Sequence, residues 1–552
     1  LSVLYNNLRV PKSIRWSQGC THGWWPSGAQ TFEQSDPGPS EKPVDWQAVN
    51  AAAAKNYLHA LRPGDPGKDP FWNEHARQYL YPPAFDFKTV PGAAAYRFTL
   101  TPERTEKDIV FTADRPWQPL APVWANVPVG YCALRVDALG GDGNVLKRAG
   151  ETRFWRAASF KGPYPKGAVS YRTAAARVYK NTFEQPYVQA WKKSSEMPSG
   201  YSLYCYPSKI LPGVIDAVLK HGARENDAVR GDALLIARHA ADWLIAHAQP
   251  ADAPLAHFTP TYFGKVATSV STKDETMLLY PARAASALVR VYEATGDARY
   301  RDAAVGIGRT YLRLQRPEGT WHLKVREADG RPVKDNLLVP DFGLATFFAD
   351  MKKLTGDAAF DAAADKAWRY VENGPFRSWN WEGQFEDVNP SQPYQNLEKG
   401  KACDFAARLF AQGRLEEGRL LADWCEDQFT VWSDPILMPP CKLTPSTDEN
   451  WNTEWKLPAA LEQYGFYTPI DASAANMILV FTRAYAATHE PFYREKAKAL
   501  ADALVRHQKP DGLIQTHLSR LGDVFFKGAW MNCMVYSASA LEELADTLGE
   551  KE

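Results

Sequence analysis

The sequence contains no run of about 18 apolar residues, so no segment is long enough to cross a bilayer as a helix, and no membrane partner is expected. It has no excess of either charge: 64 Lys and Arg balance 64 Asp and Glu. That balance removes the electrostatic reason to expect nucleic acid or another polyanion as a partner. Cysteine is scarce, with seven spread through 552 residues and no pair at metal-ligand spacing. The thiols therefore read as small buried hydrophobes, and neither a metal nor a cofactor is expected. Asn-x-Ser/Thr acceptors are also missing. The chain starts at Leu1 instead of Met, which reads as the loss of a signal peptide and suggests a periplasmic or extracellular location.

What is abundant is aromatic: 19 Trp, 25 Tyr and 25 Phe, within a globular balance of 45% apolar and 23% charged residues. Many of these rings fall in segments rich in Pro, Gly and acids, outside the periodic helical runs. Aromatics on loops need a reason, because a loop buries little by itself. Sugar rings supply one, since their C–H faces pack on indole while their hydroxyls bond to carboxylates.

The pattern divides the chain into three regions. Residues 1–80 are irregular, with a helix expected over 49–61. Residues 81–165 change to period two: AFDFKTV, AYRFTLTP, DIVFTADRPW and GYCALRVDALGGDGNVLKRAG read as strands, the last with a GGDG hairpin turn. They predict a small β-sandwich of fibronectin type III appearance. Residues 166–552 read as helical.

Within the helical region, TGDARYRDAAVGIGRTYL, TGDAAFDAAADKAWRYV and THEPFYREKAKALADAL share a buried stripe: Tyr300/Ala304/Ile307/Tyr311, Phe360/Ala364/Ala367/Val371 and Tyr493/Ala497/Leu500/Leu504. Each follows a more uniformly apolar helix. The unit is an inner helix, a tight turn and an outer helix, with turns at Gly222, Gly296, Gly356, Gly413 and His489. A last helix over 529–548 would pair with one from the N-terminal half. The expectation is a mainly α protein, an (α/α)6 toroid.

Tight turns at one end of such a ring force the long connections to the other, and long loops in a compact domain usually have a function. Those loops carry MPSGYSLYCYP, HFTPTYFGK, GTWHLKVREADGR, WNWEGQFEDVNPSQPY, STDENWNTEWKL and DGLIQTHLSR. Glycosidic hydrolysis usually needs two carboxyl groups, one protonated and one ionised. Glu386, Asp341, Glu382 and Asp274 are the catalytic candidates, with Glu275, Glu449 and Asp471 also weighed. Asp341 lies among apolar neighbours, and Glu382 and Glu386 would share a face if their loop were helical. Asp274 stands where a helix is expected to begin. For an acidic sugar, His257, His322, His517, Arg326 and Arg520 supply cations and donors, and Tyr204 a hydroxyl. Trp381, Trp451, Trp455 and Trp530 are stacking candidates, while Asp387 and Glu454 would hold hydroxyls.

With its sandwich and the stretches WEGQFEDV, NWNTEWKLPAALEQYGFYTPIDAS and KGAWMNCMVYSASALEEL, the chain resembles glycoside hydrolase family 154. That resemblance implies an exo-acting β-glucuronidase on plant or microbial polysaccharide. Uronate lyases, unsaturated glucuronyl hydrolases and sugar epimerases share the turn-and-loop layout, so a Tyr or His base acting on a uronate is the alternative. A non-catalytic glycan-binding protein is a third reading.

Overall fold

A computed structural model of the chain describes residues 43–61, 75–105, 107–269, 272–335, 338, 343–382, 397–436, 454–464, 467–524 and 528–550.

The inner-to-outer turns explain the helical repeat. In three of them, a Thr hydroxyl donates back to the carbonyl four residues earlier: Thr295 to Val291, Thr355 to Met351 and Thr488 to Ala484, all at 2.7 Å. The same oxygen accepts the N–H two residues on, from Asp297, Asp357 or Glu490. The residue between is left-handed, at φ 71° for Gly296, 75° for Gly356 and 57° for His489. Asp297 and Asp357 then accept from the first turn of the next helix. Stop, reversal and restart are thus encoded in three residues.

Among the described residues, six helix pairs result. The inner helices are α3 (Pro207–Gly222), α5 (Pro281–Thr295), α7 (Gly343–Thr355), α9 (Gly400–Ala411), α11 (Asp471–Thr488) and α13 (Met531–Leu548). Their outer partners are α4 (Asp227–Ala246), α6 (Ala298–Leu314), α8 (Ala358–Asn373), α10 (Leu415–Phe429) and α12 (Pro491–Arg506). The sixth, α2 (Tyr171–Glu184), packs on α13, so the last inner helix closes against the first outer one. Inner helices follow one another from α9 through α11, α13, α3 and α5 to α7. At the remaining seam, Trp368 of α8 stacks 4.5 Å from Phe405 of α9, and Glu372 pairs with Arg414 at 2.6 Å. The expected stripes are buried except at Ala364, which is half-buried while Ala363 takes its place.

The turn expected at Gly222 is present, but without a left-handed residue: Gly222 ends α3 in helical conformation, and a Cβ there would lie 2.7 Å from Ala233 Cβ. Its small size serves the crossing of α3 over α4. One expectation needs correction: the β region is not a sandwich. It is one antiparallel sheet, ordered β2-β1-β3-β4, from β1 (Ala95–Pro102), β2 (Ile109–Ala113), β3 (Gly130–Leu139) and β4 (Val145–Arg156). AFDFKTV is not in the ladder. Phe85 packs 5.7 Å from Phe154 of β4, and Phe87 fills the space above Gly150, so its alternation reflects packing over a sheet face.

The N-terminal helix α1 (Trp46–Asn56) lies against α12, and a buried polar knot ties the segments after it to α10. Asn56 donates to Asp423, Tyr57 to Glu426, and the Leu80 and Tyr81 amides to Asp427.

Candidate functional site: the axial funnel

The five inner helices α3, α5, α9, α11 and α13 turn their N-terminal turns toward one cavity of about 500 Å3. Pro207 and Pro281 begin α3 and α5, where the missing N–H costs nothing. The lining runs from Lys209 to Asp216 on α3 and from Arg283 to Arg290 on α5, which at 1.5 Å per residue is a depth of about 10 Å. It is an axial funnel entered from the end carrying the long connections, and helix N-termini there favour negative charge.

Several polar side chains on the walls are paired. Arg290 meets Asp216 at 3.2 Å, and Tyr536 donates to Asn476 at 2.7 Å. Arg283 lies exposed, with its guanidinium 5.6 Å from the centroid of Tyr280. Asp404, one turn into α9, is half-buried and lines the same space.

One wall is different because its charges are buried. Glu398 precedes α9 and accepts the amides of Gly400 and Lys401, so it caps that helix. Lys399, 1% exposed, donates to the Glu462 carbonyl at 2.9 Å and to Ser473 Oγ at 2.6 Å. Glu462 is 7% exposed, and one of its carboxyl oxygens has no hydrogen-bond partner among the described residues. Burial lifts its carboxyl to about 7 against the opposing pull of Lys399. Burial likewise pushes Lys399 down, opposed by Glu398 and Glu462. Asp471, which starts α11, is fully buried with its carboxyl well above the usual range; Ser537 donates to it at 3.2 Å.

Of the residues expected from sequence, Trp530 lines the funnel, its amide donating to Thr516 at 2.7 Å as α13 begins. Glu386, Asp341, Asp387, Trp451 and Glu449 lie outside the described residues. Glu382 is extended, not helical, and bridges Leu397, so the end of WNWE is paired with the segment leading to Glu398. Asp274 does not begin a helix. It is exposed, left-handed at φ 57°, and leads into the strand β5 (Glu275–Met277), which pairs Glu275 with Arg326 of β6 (Lys324–Arg326).

Other candidates are engaged elsewhere. Tyr204 is buried, accepting from Trp191 at 3.0 Å, and His257 packs against Gly306 on the outer helix α6. His322 meets Arg316 at 2.7 Å, and Glu454 pairs with Arg520 at 3.4 Å, both half-exposed or more. Trp381 and Trp455 are buried, Trp381 packing 5.8 Å from Phe405, so neither offers a free ring face. His517 is fully buried, pushed down to about 4, with Trp530 edge-on at 5.6 Å.

Glu398, Lys399, Glu462, Asp404 and Arg283 were not among the candidates. The rule applied to Asp341, that a charge among apolar neighbours is costly unless used, also selects Glu462 in AALEQY. Nothing local marks Asp404 or Arg283, which sit at ordinary positions on amphipathic helices.

Neither protein-family models nor curated protein sequences gave a match to the chain. Solved structures did. A family 76 glycoside hydrolase from a bovine Bacteroides thetaiotaomicron strain is 11% identical, covering 81% of this chain and 93% of its own, with a TM-score of 0.40. Cellobiose 2-epimerase from Spirochaeta thermophila is 14% identical over 69% and 98%, at 0.46. An unsaturated glucuronyl hydrolase specific for heparin is 9% identical over 69% and 96%, at 0.43. At these values the likeness bears on neither reaction nor substrate, which rest on the side chains of the funnel.

Proposed function

We propose that the protein is a glycoside hydrolase that removes a terminal β-linked glucuronic acid, or another uronic acid, from an oligo- or polysaccharide. Glu462 is its proton donor and Asp404 the partner carboxylate. The observation that carries this reading is the Glu462 carboxyl: buried on the wall of a funnel of about 500 Å3 and held near 7 by that burial. A carboxylic acid that keeps its proton near neutrality suits protonation of a glycosidic oxygen. Arg283 and the helix N-termini favour a sugar bearing a carboxylate. Among the described residues no histidine lines the funnel, which weighs against a lyase or epimerase using a His base; Tyr206, Tyr280 and Tyr536 line it, so a Tyr base is the second reading. Asp341, two residues before α7 in the chain, and Glu386 remain further acids of the proposal.

The test is release of glucuronate from an aryl β-glucuronide, sharply slowed in Glu462→Gln and compared with Asp404→Asn, Asp341→Asn and Glu386→Gln. A wild-type protein inert on a panel of uronides and neutral glycosides would sink the reading. Binding of the sugar that survives every one of these substitutions, without turnover, would instead identify a glycan-binding protein.

A further inference from the structure

Lys399 is an expensive residue for its position. Its ammonium is almost fully removed from water, which costs several kcal/mol unless the charge is compensated. It is not needed to start α9, because Glu398 caps that helix. A neutral side chain would pack there at lower cost. What the ammonium does is bridge the start of α9 to the Glu462 segment and to α11: it donates to the Glu462 carbonyl and to Ser473 Oγ of α11.

We propose that Lys399 is a positioning residue for Glu462, tying the Glu462 backbone to α11 and supplying the positive charge against which the Glu462 carboxyl holds its proton. The kinetic part of this inference rests on the hydrolase reading; the electrostatic part does not. The groups facing the pair come from every side. Glu398 approaches from the start of α9, Cys403 and Cys425 from α9 and α10, Asp471 from α11 and Lys209 from α3. Lys399 offsets the Glu398 carboxylate. Without it, Glu462 would lose the positive charge that most favours its ionised form and would bind its proton more tightly.

The decisive variant is Lys399→Gln, whose amide keeps donors for both hydrogen bonds but carries no charge. The first readout is the protonated-carboxyl C=O stretch in the infrared, assigned to Glu462 by its loss in Glu462→Gln and titrated with pH. Its midpoint is expected to rise by about one pH unit or more in Lys399→Gln and to return toward wild type in Lys399→Arg. The second is the pH profile of kcat/KM on the aryl glucuronide, whose alkaline limb should move up with that midpoint. An unmoved infrared midpoint in Lys399→Gln overturns the inference, whatever happens to activity. Lower kcat with an unmoved alkaline limb, equally in the Gln and Arg variants, also overturns it and leaves the hydrolase reading standing. A wild type inert on all glycosides, with the infrared midpoint displaced in Lys399→Gln, removes the hydrolase reading and keeps the electrostatic coupling.

Discussion

Lys496 of α12 and Glu426 of α10 form a salt bridge of 2.6 Å in which neither side chain has any exposed surface. Tyr57, Tyr81 and Trp432 add hydrogen bonds to the same carboxylate, so the N-terminal segment joins the ring through one fully satisfied charge. Removing one partner leaves the other buried and unpaired. Lys496→Met is expected to destabilise the protein by about 3 to 5 kcal/mol, read as a lowered urea midpoint. Replacing both residues by apolar ones of similar volume should recover much of that loss. A single variant as stable as wild type would show that the knot contributes nothing.

Asp427, whose carboxyl accepts the Leu80 and Tyr81 amides, gives this knot a pH dependence of known sign. Burial lifts its carboxyl to about 7 from a usual value of 3.8. The folded state therefore keeps the proton to higher pH than the unfolded chain. The associated stability is complete below about 3.8 and is lost as pH rises through about 7. Over pH about 5 to 8, the wild-type Tm should fall relative to that of Asp427→Asn. Contributions shared by both proteins, such as those of the buried histidines, cancel in the comparison, and parallel Tm curves would refute the assignment.

Glu462 should set the alkaline limb of activity. As a proton donor it is competent below about 7 and loses its proton above, so kcat/KM should decline as pH rises through that value. Glu462→Gln is expected to lower kcat by roughly 10²- to 10⁴-fold and to abolish that limb. A residual rate with an intact alkaline limb would assign the acid to another residue.

Arg283 should separate charged from neutral sugars. It is exposed in the funnel and stacked on Tyr280, with no ion pair to any described acid. Arg283→Gln is expected to raise KM for an aryl glucuronide about tenfold, a loss of about 1.4 kcal/mol. Binding of the matching neutral glucoside should barely change. Equal losses for both sugars would remove Arg283 from carboxylate recognition.

Two tryptophans that look alike in sequence should behave differently. Trp381 is fully buried against Phe405, and Trp381→Ala should cost about 3 to 5 kcal/mol in stability. Trp530 is half-buried on the funnel wall, and Trp530→Ala should leave the Tm nearly unchanged while raising KM. The reverse pattern would mean that the funnel is not where the sugar binds.

The helical repeat is legible in the sequence because its signals are local. Thr-Gly-Asp and Thr-His-Glu encode a stop, a left-handed reversal and a restart. Tyr300, Tyr311, Phe360 and Tyr493 lie on stripes that a helix of 3.6 residues per turn must bury. Period two was less decisive, because Phe85 and Phe87 alternate while packing over a sheet face as they would within a strand. The funnel residues were not legible in the same way, because they meet only on folding. Glu398, Lys399 and Glu462 come from two segments more than 60 residues apart, joined by the Lys399 hydrogen bond to the Glu462 carbonyl. Whether a charged or aromatic side chain meets solvent or core depends on which neighbours the ring brings to it. That is why Trp381, the second indole of WNWEGQFEDVNP, went into the core while Trp530 reached the funnel.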